Sequence, residues 1–415
     1  MKTFLSIYKP LMLLFLLSNS ILKVQAQDTT KLNNYVRADT INQRMNMDAI
    51  FNRPFLAIGK SPIAIGGYIE TNVEYAKTDG VSDGFNFQMR RLTLFFSSTI
   101  TKKIKFLSEL EFEDGTREIN IESALMDMEF HPMFNLRGGI VLNPIGAYNQ
   151  NHDGPRWDFI DRPISMTEIV PSTLSNVGFG FHGKYFLHNW SIGYETYLTN
   201  GFDDKLILNE SNRTSFHEAK ENANKFEKSS SGLPMFTGKI ALRNRNIGEI
   251  GISYLTGVYN TWKKDGLIIE NKRSASLFAV DFNTSIFNNK ISINGEVVKA
   301  FVELPENYVQ TYGSRQFGGY CDIIATVLQR KILGWNNAKI NVGIRFDYAD
   351  FNQNKFKLSN EKIFDDTWVF TPSIAFRPYG TTVIRLNYKY QLIRDIVGNE
   401  PSKLGAIQFG LSTYF

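Results

Sequence analysis

Gly405–Phe415, GAIQFGLSTYF, is the stretch on which the fold turns. In an extended chain side chains alternate between faces, so Ile407, Phe409, Leu411, Thr413 and Phe415 share one side, and Gln408, Gly410, Ser412 and Tyr414 share the other. One side is mostly ring-bearing or aliphatic and the other small or polar. Such a strand separates an oily medium from water.

The same alternation recurs upstream. Ile384, Leu386, Tyr388, Tyr390 and Leu392 oppose Arg385, Asn387, Lys389 and Gln391. Ile65, Ile69 and Val73 oppose Glu70 and Glu74. Ile104, Phe106, Leu110 and Phe112 oppose Lys103, Lys105, Glu109, Glu111 and Glu113, and Ile344 and Phe346 oppose Arg345 and Asp347. Strands are expected at 61–77, 85–99, 103–113, 118–130, 133–142, 176–186, 190–200 and 235–244. Eight more are expected at 247–259, 273–286, 290–302, 316–330, 337–349, 364–377, 381–393 and 405–415. Short turns near Thr101, His131, Leu187, Arg245, Phe287, Ile332 and Tyr379 alternate with connections that are mostly longer, at 143–175, 201–234, 260–272, 303–315, 350–363 and 394–404. An even number of strands with loops sorted by length predicts an all-β fold. It is a transmembrane antiparallel up-and-down barrel of about 16 strands, short turns periplasmic and long loops outside. A charge facing lipid at mid-depth costs about 2–4 kcal/mol, so the charged faces belong to the lumen. Trp190, Tyr254, Trp262, Trp335, Trp368 and Tyr379 are expected near strand ends, as in interfacial girdles. Parity breaks at Arg90-Arg91, where a β-bulge would restore it, and around Cys321, where no clean alternation exists.

Residues 1–26 read as a signal peptide: Lys2 and Lys9 precede the apolar run Leu11–Leu17, and Val24-Gln25-Ala26 supplies small residues for cleavage. Residues 27–60 follow as a periplasmic or lumen-entering segment, and 61–415 form the barrel. Lys2, Lys9 and Lys23 leave with the signal and no acid does, which lowers the net charge from +5 to +2. So balanced a chain lacks the concentrated basic face of a nucleic-acid binder. The single cysteine allows no internal disulfide.

Over Gly66–Phe415 the chain resembles the phosphate-selective porin O and P type family of outer-membrane channels. The resemblance lies in Gly66-Gly67-Tyr68-Ile69-Glu70, Arg90-Arg91-Leu92, Leu136-Arg137-Gly138-Gly139-Ile140 followed by Asn143-Pro144-Ile145-Gly146, and Phe346-Asp347-Tyr348-Ala349-Asp350-Phe351-Asn352. It implies a sixteen-stranded channel, usually trimeric, whose long third extracellular loop folds inward as a constriction.

That loop is 143–175. Ile145, Tyr148, Trp157, Phe159, Ile160, Ile164 and Ile169 need something to pack against, and the barrel wall is the expected surface. Its Arg156 and Arg162 stand against Asp153, Asp158, Asp161 and Glu168, a net of −2. A phosphate site would need converging Lys and Arg, which the loop lacks, so phosphate selectivity is not carried over. On the wall, Arg137, Lys239, Arg243, Arg345, Arg377, Arg385 and Lys389 take inward parities beside Glu70 and Glu74. Two readings of these charges stand: a transverse field across the constriction, or mutual pairing that stiffens the lumen.

None of the five histidines meets an activated nucleophile, and no G-x-S-x-G, Walker or zinc pattern occurs, so no enzyme is expected. His152-Asp153 with Asp158 and Asp161 is a weak metal pattern that salt bridges to Arg156 and Arg162 explain as well. The expected activity is passive diffusion of small polar or ionic solutes through an outer-membrane porin, without cofactor or nucleotide. A non-conducting structural, adhesive or secretion-associated barrel is the alternative, and loop 201–234 would suit surface contact. Expected partners are outer-membrane lipid, the barrel-assembly machinery acting on the strand that ends in Phe415, and copies of the chain in a homotrimer.

Overall fold

A computed structural model describes Ile50, Arg53 and residues 63–415 except 116, 212, 223 and 307–312. The expected signal peptide lies outside the described residues, as does the 27–60 segment apart from Ile50 and Arg53. Eighteen strands follow in chain order: β1 (Ala64–Thr78), β2 (Val81–Thr101), β3 (Ile104–Glu113), β4 (Glu118–His131), β5 (Phe134–Leu142), β6 (Ser175–Leu187), β7 (Trp190–Thr199), β8 (Met235–Asn244) and β9 (Gly248–Val258), then β10 (Lys263–Lys264), β11 (Leu267–Ile268), β12 (Ser274–Ile286), β13 (Ile291–Val302), β14 (Arg315–Ile332), β15 (Trp335–Asp350), β16 (Asp366–Tyr379), β17 (Thr382–Ile393) and β18 (Ser402–Tyr414). β10 and β11 are an outlying hairpin. The other sixteen close into one antiparallel barrel, each beside its chain neighbour and β1 beside β18. At the seam Tyr68 stands opposite Tyr414, and Gly67 and Phe415 exchange both backbone hydrogen bonds.

Two media shape every strand. On β18 Ile407, Phe409 and Leu411 are exposed while Gln408 and Ser412 are buried, and on β17 Leu386 is 48% exposed beside Arg385 at 1%. Exposed apolar side chains therefore cover the outside of the barrel, and charged residues point in. Trp190 opens β7, Trp335 opens β15 and Tyr379 ends β16, all exposed beside short turns. Trp262 departs from the girdle: it lies in the β9–β12 loop, its indole N–H donating to the Ser231 carbonyl and its ring beneath Lys272.

One departure and one expected irregularity have local causes. β2 begins at Val81 rather than 85, because Asp79 (φ 50°) and Gly80 (φ 88°) make a two-residue hairpin turn. Glu70 pairs with Arg91 and Thr71 with Met89, so Arg90 is the extra residue of a bulge, at the expected parity break. The bulge turns two consecutive arginines inward, where Arg90 reaches Asp161 and Arg91 reaches Glu70. Around Cys321 the inward positions include Gly318, Tyr320 and Ile324, which are not polar because the crossing loop packs there.

Candidate functional site in the lumen

The loop between β5 and β6 enters the barrel because its apolar residues have no other cover. Ile145, Tyr148, Trp157, Phe159, Ile160, Met166 and Ile169 are all buried. The Asn149 side chain ties the two stems: its amide donates to the Asn143 and Leu174 carbonyls, and its oxygen accepts from Leu174 N–H. Tyr148 lies 4.7 Å from Trp157, and both rings meet Tyr320 of β14 edge-on. Ile169 and Ser165 press on Gly318, where a Cβ would come within 2.8 and 2.9 Å of them.

The loop does not run along one wall; it crosses the lumen. At its start, Lys239 of β8 donates to the Gly146 carbonyl, Ser253 of β9 accepts from Gly146 N–H, and Glu296 of β13 accepts from the amides of Ala147 and Tyr148, each at 3.0 Å. Farther along, His152 meets Glu109 of β3 and Gln150 meets Glu195 of β7. Three arginines on β15–β17 then grip the loop's main chain. Arg377 donates to the carbonyls of Pro155 and Arg156 and to Asp158. Arg385 donates to those of Gly154 and Phe159 and to Glu70, and Arg345 to that of Asp161 and to Asp322. Buried carbonyls need donors, and guanidinium forks supply several from one side chain.

The loop's charges are individually engaged. Asp153 accepts from Arg53 and from the Tyr414 hydroxyl at 2.7 Å. Arg156 donates to Tyr414 and Asn151, and Asp158 also accepts from Asn341. Asp161 is bridged by Arg90 at 2.7 Å, Lys389 at 3.1 Å and Gln408 at 2.8 Å, and Gln408 also donates to Glu74. Burial opposes charge on Asp161, but Lys389 and Arg90 outweigh it and hold the carboxyl far below the usual carboxylate range. Arg162 donates to the Ser172 carbonyl, and Glu168 lies 3.9 Å from Arg213. On the other side of the barrel, Arg137 pairs with Asp127 and donates to Tyr197, Lys239 pairs with Asp281, and Arg243 is buried on the same inward face of β8. The inward cations thus form two groups on separated strands rather than one basic wall. Half-exposed charges gather along one loop–wall seam: side chains of Arg90, Asp161, Lys389 and Glu113 are 22–25% exposed, with Arg91 and Glu74 alongside.

Of the metal pattern, Asp158 and Asp161 go to separate cations, while Glu109 joins His152 and Asp153 with ligand-type atoms within 4.8 Å. Arg53 donates to both of those carboxylates, so a guanidinium already neutralises them. Burial opposes charge on the His152 ring, but Glu109 and Asp153 outweigh it and raise its pKa.

Loop 200–234 is not a free surface segment. Phe202, Leu206, Ile207, Phe216 and Ala219 are buried in one cluster with Met166, Ile169 and Val170 of the crossing loop. Ser215 caps a short helix, α1 (Phe216–Lys220), and Arg213 pairs with Asp365 while stacking 4.0 Å over Phe351. Sequence reasoning missed Arg53, Glu296 and Gln408 as site residues. The paired Arg90-Arg91 was visible as a register break and as part of the family resemblance, not as a lumen site.

No family model matches this chain. It is 33% identical over 209 residues to an uncharacterized protein of Aquifex aeolicus (strain VF5); the match takes in 48% of this chain and 46% of that protein, so the chain spans about half the length of the curated relative it matches. Among solved structures it is similar to Salmonella typhi OmpF in complex with daunomycin (TM-score 0.53, 8% identity, 85% of this chain and 97% of that one). It is also similar to the outer membrane channel DcaP of Acinetobacter baumannii (0.52, 11%, 85% and 97%) and to Pseudomonas putida OprB (0.51, 9%, 85% and 94%). At such identities the likeness is one of fold: a closed 16-stranded barrel similar to those of outer-membrane porins and channels.

Proposed function

We propose that this chain is an outer-membrane porin of the phosphate-selective porin O and P type, passing small polar or charged solutes down their own gradient. The observation that carries the reading is the seam of partly hydrated charge between loop and wall, inside a barrel whose exterior is apolar. Solutes pass Glu74, Arg90, Arg91, Glu113, Asp161 and Lys389, three anions and three cations in alternating company. A balanced seam filters by size and dipole rather than by net charge. Assembly as a homotrimer, and recognition of β18 by the barrel-assembly machinery, belong to the same proposal.

Planar-bilayer recording of the purified protein tests it. Stable ohmic steps with a reversal potential near zero in a salt gradient are the expected result. The non-conducting structural barrel is favoured by one observation, the burial of loops 143–174 and 200–234 against each other. Reproducible insertion without steps would establish it in place of the porin.

A further inference from the structure

The inner wall carries an apolar patch where a water-filled lumen would call for polar side chains. Tyr68 of β1, Phe95 of β2, Leu107 of β3 and Leu125 of β4 all point inward and are at most 1% exposed. Leu107 and Leu125 pair with each other on the short-turn side of Glu109, while Phe95 pairs with Glu109 and Tyr68 with Thr93, the partner of Glu111. Ile50, 2% exposed, joins this cluster. Arg53 lies flat over Phe95, its guanidinium carbon 3.8 Å from the ring centroid. The same guanidinium bridges Glu109 at 2.8 Å and Asp153 at 2.9 Å, its side chain 1% exposed. An apolar contact and a two-carboxylate bridge, from residues three apart, converge on one face of the wall.

We infer that Ile50 and Arg53 form a resident plug contact inside the lumen, docked against the β1–β4 wall and locked to the crossing loop through Asp153. The patch is apolar because its partner is protein rather than water. Arg53 couples the two lumen elements: released from Asp153, it would stand over Phe95 with one carboxylate partner, and the loop would lose one of its ties to β3, keeping His152–Glu109. The effect on conduction rests on the porin reading; the docking does not.

The test places a thiol at position 50 by Ile50→Cys in a Cys321→Ser background and follows its reaction with a sulfonated, membrane-impermeant maleimide. Leu358→Cys, on a residue 90% exposed, is the open reference. Only protein running as the folded band is scored. The thiol at position 50 is expected to react at least about tenfold more slowly than the reference. Adding Arg53→Ala or Asp153→Asn, which cut the bridge from either end, should restore most of the rate, and Arg53→Lys should retain protection. Equal rates at positions 50 and 358, or protection unmoved by both bridge variants, would overturn the plug. In bilayers Arg53→Ala should enlarge the single-channel step. Silent bilayers with slow labelling at position 50 would refute the porin reading and support the plug. Conduction with fast labelling would refute the plug and leave the porin standing.

Discussion

Arg385→Met keeps most of the apolar stem of the side chain and removes its donors. In the folded protein this guanidinium is fully enclosed, 2.7 Å from Glu70 and 2.7 and 3.2 Å from the Phe159 and Gly154 carbonyls. Removing one partner of a buried ion pair costs about 3–5 kcal/mol. Glu70 keeps Arg91 at 3.1 Å, which places the loss toward the lower end. The barrel has no need of this residue, since β17 pairs with β16 and β18 through the backbone, Arg385 opposite Ala375 and Gly410. The cost therefore falls on the closed state of the loop, which can swing into water and rehydrate its carbonyls. At 1.4 kcal/mol per factor of ten, amide exchange across 154–161 should speed up by about 10²-fold or more while exchange in β16–β18 holds. Hydrogen exchange read by mass spectrometry resolves the two regions, and a heat-modifiable gel band shows that the barrel has closed. Arg385→Lys, with charge but no fork, should fall between. Unchanged loop exchange in a folded Arg385→Met protein would refute the clamp, and a barrel that fails to close would refute its confinement to the loop.

Neighbouring substitutions test the two faces: Leu386→Arg puts a charge on the outer surface at a cost of about 2–4 kcal/mol and should lower the assembled fraction. Asn387→Arg should assemble but change conductance, because Asn387 accepts from the Ile160 amide at 2.8 Å. Gly146→Ala should loosen the start of the loop, since Gly146 has φ 65° and its Cβ would lie 1.5 Å from a Glu296 oxygen; loop exchange should rise, and Glu296→Ala should relieve the clash without relieving the backbone strain. His152 has a raised pKa, so its contribution is complete below its ordinary 6.5 and is lost as pH rises through the higher folded value; exchange at 149–154 should accelerate on that alkaline side, and His152→Gln should flatten the profile.

The barrel was legible because membrane and water impose opposite demands on alternate residues, so Leu386 and Arg385 declare their sides without any knowledge of neighbours. The Arg90 bulge was legible for the same reason, as the point where two good half-patterns go out of step. The fate of the lumen charges was not. Arg345, Arg377 and Arg385 read either as wall cations setting a transverse field or as ions paired with one another, because parity reports direction only, while their partners include main-chain carbonyls of a loop more than 180 residues away in sequence. Arg53 gave no signal as a site residue: it is a single cation in the mostly apolar run 50–58, and only the lumen brings Glu109 and Asp153 to it. Loop 201–234 read as a segment suited to surface contact from its lysines and serines, while Phe202, Leu206 and Phe216, spaced without a period, decided its burial.

An arginine row on a lumen wall is therefore not evidence of an anion path. A guanidinium whose donors end on carbonyls and whose charge ends on Glu70 or Asp322 presents neither to a passing solute, because desolvating it further gains nothing and freeing it costs several kcal/mol. What a solute meets is set by residual hydration: Arg90 and Lys389 stay partly wet because they share a single carboxylate, Asp161, while Arg385 is dry because its contacts surround it. Selectivity in this barrel should consequently follow Asp161 more than any wall arginine. Asp161→Asn leaves two cations facing water with an amide between them, and in a salt gradient the reversal potential should move toward chloride. A reversal potential that instead follows Arg345 or Arg377 would mean that the clamp opens during conduction.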